Sequence, residues 1–126
     1  MTHKNVFVLS GVVLLIFGLV WFLIPNVGLG VFGHDVQVND LAAILTRYWG
    51  SAFIAIAVIL WLARNAQADS IGVKAITYGG FVLAVTGLVA AVIDFLYGNP
   101  NAVIWLSIGL YALFAVLYGI LTFKKA

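Results

Sequence analysis

The run VFVLSGVVLLIFGLVWFLI, residues 6–24, contains no charged residue and ends against Pro25. An α-helix rising about 1.5 Å per residue needs about 20 consecutive apolar residues to cross the hydrocarbon of a bilayer. The run is therefore expected to be a transmembrane helix. Pro25 marks its end, because proline lacks the N–H that a continuing helix would use. The span is too long for a secretory leader and has no small-residue cleavage site at its end, so it is expected to be retained.

Beyond the proline, Asn26 to Gly33 carries Gly28, Gly30 and Gly33 and is expected to be a loop. Asn39 or Asp40 can cap a second span over about 41–63, which runs out at the polar stretch Arg64 to Ser70. Asp69 or Ser70 can cap a third span over about 71–97, stopped by Gly98-Asn99-Pro100. A fourth covers about 102–123, and Lys124 and Lys125 mark the membrane surface behind it. The expected fold is all-α: a polytopic transmembrane four-helix bundle, up-down-up-down, occupying residues 1–126 as one domain.

Composition supports this and excludes several function classes. Of 126 residues, 65% are hydrophobic and 8% charged, with a mean hydropathy of +1.20. A soluble domain keeps about 25% of its residues charged to hold its surface in water. With no Cys there is no thiolate nucleophile, thiol relay or Cys-ligated metal. There is also no Glu; the only acids are Asp35, Asp40, Asp69 and Asp94, so a buried glutamate cannot carry protons. His3 and His34 lie outside the apolar runs, which argues against a haem held by two histidines in mid-membrane. No cofactor and no metal site are expected. The net charge of +2 rests on six dispersed Lys and Arg residues, too scattered for a nucleic-acid patch.

Those cations carry topology instead. Lys4, Arg64, Lys74, Lys124 and Lys125 fall on one face of the expected bundle and only Arg47 on the other, which by the positive-inside rule makes both termini cytoplasmic and puts His34, Asp35 and Asp40 outside. Trp21, Trp49 and Trp105 stand near outer helix ends and Trp61 near an inner one, as interfacial anchors do. Phe7-Val8-Leu9 and Phe81-Val82-Leu83 are alike, and the spans holding them close in Phe22-Leu23-Ile24-Pro25-Asn26 and Phe95-Leu96-Tyr97-Gly98-Asn99-Pro100. Such similarity would make the chain two parallel helical hairpins.

The third span repeats Gly80, Gly87 and Asp94 every seventh residue, with Ala84 and Ala91 beside them, a face that allows close backbone approach. Gly11 and Gly18 in the first span are also seven apart and are expected to mark another contact. In the second span Arg47, Gly50, Ser51 and Ala55 are grouped on one face. Arg47 stands roughly 26 Å above Arg64, and Asp94 roughly 30 Å above Lys74, at nearly equal depth. An unpaired charge there is expensive, so Arg47 and Asp94 are expected to form an ion pair at the outer end. Tyr48, Tyr97 and the His34-Asp35 dipeptide would complete a small outer pocket. In the fourth span Ser107, Tyr111, Ala115, Tyr118 and Thr122 form one stripe, expected to supply hydrogen bonds to neighbouring helices or to line a water path.

Arg47-Tyr48-Trp49-Gly50 opening the second span, and Trp61-Leu62-Ala63-Arg64 closing it, resemble small prokaryotic four-span proteins grouped as domains of unknown function. That resemblance implies a helical bundle in a prokaryotic plasma membrane and no particular chemistry. The absence of any catalytic set leads to the expectation of a non-enzymatic integral membrane protein. It would act in the lipid bilayer by self-association or as an accessory subunit of a larger membrane complex, without nucleic acid. The alternative is a small oligomeric channel or transporter for an ion or small solute.

Overall fold

The structure, a computed structural model, describes residues 2–33 and 39–124. His34, Asp35 and Lys125 lie outside the described residues. The described residues form five α-helices and one 3-10 turn: α1 (His3–Leu23), α2 (Pro25–Gly28), the 3-10 turn Leu29–Phe32, α3 (Asp40–Ala63), α4 (Ile71–Tyr97) and α5 (Ile104–Phe123). Helices α1, α3, α4 and α5 are long and apolar enough to cross a membrane. No described residue is in a strand.

Caps set the helix starts. Asn39 accepts the Ala42 N–H at 2.8 Å, Ser70 accepts the Val73 N–H at 3.3 Å, and Thr2 accepts the Asn5 N–H at 3.4 Å. The Thr2 cap starts α1 three residues before the apolar run and brings His3 into its first turn, against Phe7. The expected loop after Pro25 is instead helical. Proline at a first helical position gives up an N–H that has no intrahelical acceptor anyway, so Pro25 both stops α1 and starts α2.

The long helices pair as two antiparallel hairpins, α1 with α3 and α4 with α5, and the hairpins touch each other sparingly. Glycine sets both close approaches. A Cβ at Gly50 would lie 2.6 Å from the Gly18 carbonyl oxygen, and one at Gly18 would lie 2.9 Å from that of Gly50, so α1 and α3 cross backbone to backbone. In the second hairpin the Tyr118 ring covers Gly80 and the Tyr111 ring covers Gly87. Phe95–Trp105 and Phe81–Phe123 ring contacts, at 5.0 and 5.4 Å, extend that seam to its ends.

Val6, Phe7, Leu60, Val73 and Tyr118 form a core that joins all four long helices near the end bearing Lys4, Arg64, Lys74 and Lys124. Elsewhere large apolar side chains point outward; Ile16, Val82 and Val116 are each more than half exposed. Such a surface suits hydrocarbon. Several hydroxyls within the helices are satisfied locally, as an apolar surrounding favours: Thr46, Thr77 and Ser10 donate to the carbonyls of Ala42, Val73 and Val6, each at 2.7 Å.

Candidate functional site

Because the hairpins meet mainly near their ends, they leave a cavity of about 460 Å³ between them. Its floor is the Tyr118 region, where Tyr118 Oη and Ser10 Oγ share a hydrogen bond at 2.7 Å and the Phe7 and Tyr118 rings stack at 6.3 Å. Its walls carry Phe17 from α1, Phe53 and Ile56 from α3, Ala84 from α4 and Phe114 from α5. Among the described residues no Lys, Arg, His, Asp or Glu lines it.

The roof is the segment after α1, folded back over Trp21. Trp21 Nε1 donates to the Gly28 carbonyl at 2.9 Å, and its ring lies 5.7 Å from Phe32 and 4.8 Å from Phe53. Gly28 packs so tightly on the indole that a side chain there would collide with it. Among the described residues two bonds fasten this roof to the second hairpin: Ser107 Oγ donates to the Val31 carbonyl at 2.9 Å, and Asn101 N–H to the Gly33 carbonyl at 2.7 Å. Gly33 has φ of 79°, a left-handed conformation that glycine adopts without strain.

One side wall is open. Ile59 of α3 and Gly79 and Leu83 of α4 line the cavity and are also exposed, where α3 and α4 scarcely touch. The cavity therefore opens sideways, at the level of the spans.

The structure distributes the sequence-derived residues over several places. Ser107, Tyr111 and Tyr118 of the α5 stripe line the cavity, and Thr122 lies beyond it with a buried hydroxyl that has no hydrogen-bond partner. Gly80, Ala84, Gly87 and Ala91 turn toward the interior, with Ala84 and Ala91 buried and the two glycines beneath α5 tyrosines. Gly11 and Gly18 face α3, where a Cβ at Gly11 would stand 3.6 Å from the Ala57 carbonyl oxygen and from the Leu60 Cβ.

Arg47 and Asp94 are not joined by an ion pair. Arg47 is exposed in a shallow depression with Phe22, Ile44, Tyr48 and Ser51, whereas the Asp94 carboxylate lies over Gly98 at the end of its own helix. Tyr48 and Tyr97 are exposed, at 69% and 84%. The reason is azimuth. The Gly80–Gly87 seam that leads to Asp94 faces α5, and Arg47, Gly50, Ser51 and Ala55 spread over about 140° of α3. Only Gly50 enters the α1 interface; Arg47, Ser51 and Ala55 look outward. The aromatic walls Phe17, Phe53 and Phe114 were not singled out by spacing, because isolated phenylalanines in an apolar run look alike on every face.

Among the described residues no three of His, Cys, Asp and Glu stand close enough to share a metal ion. Comparison with protein-family models, curated proteins and solved structures finds no match to this chain.

Proposed function

We propose that this chain is a non-enzymatic integral membrane protein that works by association, with a second copy of itself or as an accessory subunit of a larger membrane complex. The observation that carries this reading is the outer face of α3, where Arg47, Ser51 and Ala55, four residues apart, are all exposed. Small residues at that spacing let a neighbouring helix approach, and a cation inside a span is costly against lipid unless something polar meets it. Ser51 Oγ is already bonded to the Tyr48 carbonyl at 2.7 Å, so the face offers shape and one charge. A channel through one bundle has less support, since no charged side chain among the described residues lines the cavity and hydrogen bonds tie its roof and floor.

Crosslinking tests the reading cleanly because the chain has no Cys. In native membranes an Ala55→Cys protein is expected to crosslink either to its own copy or to one heavier partner, while Gly109→Cys on exposed α5 gives neither. Equal, unselective crosslinking from both positions, or none from Ala55→Cys, would overturn the proposal.

The membrane proposed is a prokaryotic plasma membrane, with both termini in the cytoplasm. Lys4, Arg64, Lys74 and Lys124 stand at one end of the alternating helices, and the positive-inside rule makes that end cytoplasmic. A membrane-impermeant thiol reagent is expected to label Asn99→Cys in intact cells and Gln67→Cys only after lysis. Labelling of both from outside would reverse this conclusion.

A further inference from the structure

We infer that the central cavity is a binding site for a neutral, ring-bearing molecule dissolved in the membrane and carrying a carbonyl acceptor, a compound of the benzoquinone class. This goes beyond the association reading, which rests on the opposite side of α3 chemistry and not on the cavity.

Four observations lead to it. At about 460 Å³ the space lies within the range of small-molecule sites, about 300–1,000 Å³. Among the described residues the lining holds no Lys, Arg, His, Asp or Glu, so nothing there would offset the desolvation of an ion or a charged headgroup. Its walls hold the faces and edges of Phe17, Trp21, Phe32, Phe53 and Phe114, which favour a flat ring through offset and edge-to-face contacts. The exposed part of the described lining, Ile59, Gly79 and Leu83, lies at the level of hydrocarbon, which offers a membrane-dissolved molecule a sideways way in.

Tyr111 supplies the specific contact. Its ring is held over Gly87, and it lines the cavity. The other three hydroxyls of the lining are engaged: Ser10 with Tyr118, and Ser107 with the Val31 carbonyl. The Tyr111 hydroxyl has no such partner among the described residues. A phenolic O–H on a residue that lines an apolar space can be satisfied by a ligand acceptor, and a quinone carbonyl on a flat ring provides one.

The test uses the full chain with Trp49→Phe, Trp61→Phe and Trp105→Phe, so that Trp21 in the roof reports alone. In phosphatidylcholine vesicles, decyl-benzoquinone is expected to quench Trp21 saturably, above the linear quenching that partitioning alone produces. Tyr111→Phe should weaken that binding about threefold to tenfold, the loss of one hydrogen bond. Gly79→Leu fills the mouth from α4, where a Cβ meets nothing within 4 Å, and should weaken it at least about tenfold. Ile59→Phe narrows the same mouth from α3 and should act alike. Gly72→Leu, an equally open position outside the cavity, should bind as the parent does. Purely linear quenching in the parent would overturn the site, and parent-like binding in both mouth variants would overturn the entrance. Decylbenzene, which has the ring and tail without carbonyls, should bind more weakly and ignore Tyr111→Phe. Equal binding of the two probes would overturn the carbonyl contact and leave an unselective apolar hole.

Discussion

Gly50→Ala is expected to lower the stability of this protein even though alanine is the better helix former, and Gly50→Leu to lower it by about 3 kcal/mol. In an unobstructed helix interior, alanine gains about 1 kcal/mol over glycine. At Gly50 the added carbon would sit 2.6 Å from the Gly18 carbonyl oxygen and 2.7 Å from the Phe22 nitrogen, both backbone atoms that no rotamer change can move. Helices α1 and α3 must then separate along their whole seam, losing contacts that each contribute little alone. Gly109→Ala is the internal contrast: nothing lies within 4 Å of its Cβ, so it should be neutral or stabilising by up to about 1 kcal/mol. Thermal unfolding in detergent, followed by helical circular dichroism, reads both signs. A stabilised Gly50→Ala protein would mean that α1 and α3 do not cross at these glycines.

Trp21→Ala is expected to cost about 3–5 kcal/mol, the range for emptying a buried indole site. Trp21 is 4% exposed and lies against Phe17, Phe32, Trp49 and Phe53. Beyond the packing, its indole N–H holds the Gly28 carbonyl and with it the fold-back of α2. Trp21→Phe keeps most of the ring contact and gives up that bond, so its loss should be about 1 kcal/mol. The two variants separate packing from tethering. A thiol reagent reaching Val31→Cys should do so much faster in the Trp21→Ala background than with Trp21 intact. If Val31→Cys reacts at one rate in both backgrounds, the indole does not hold the roof.

The helices were legible in the sequence because a bilayer imposes a length, and charged or breaker residues such as Pro25, Arg64 and Asn99 stand where that length runs out. Capping chemistry placed Asn39 and Ser70 within a residue of where α3 and α4 begin. Depth along a helix axis follows from counting residues; rotation about the axis does not. In soluble proteins polarity reveals which side faces inward, but in a lipid-facing helix Leu, Val and Ile stand on every side. Arg47 and Asp94 were therefore assigned similar depths without any measure of whether they faced each other. The fold-back over Trp21 was hidden for a different reason. Its glycines and proline suggest a loop, and its fasteners, Ser107 and Asn101, stand more than 60 residues later in the chain.

The pairing of neighbouring helices also sets an order of assembly during synthesis. The α1–α3 crossing at Gly18 and Gly50 uses only residues made before the chain reaches position 64, so it can close while α4 and α5 are still unmade. The second pair closes across the short turn at 98–103, again between adjacent segments. Contacts this local form without the loop-closure cost of distant pairing. The bonds from Asn101 and Ser107 to the segment after α1, and the one between Ser10 and Tyr118, reach across the chain, so they become available only once α5 is made. A nascent chain halted after α3 would thus already hold its first helical pair, with the segment over Trp21 not yet tied to anything downstream.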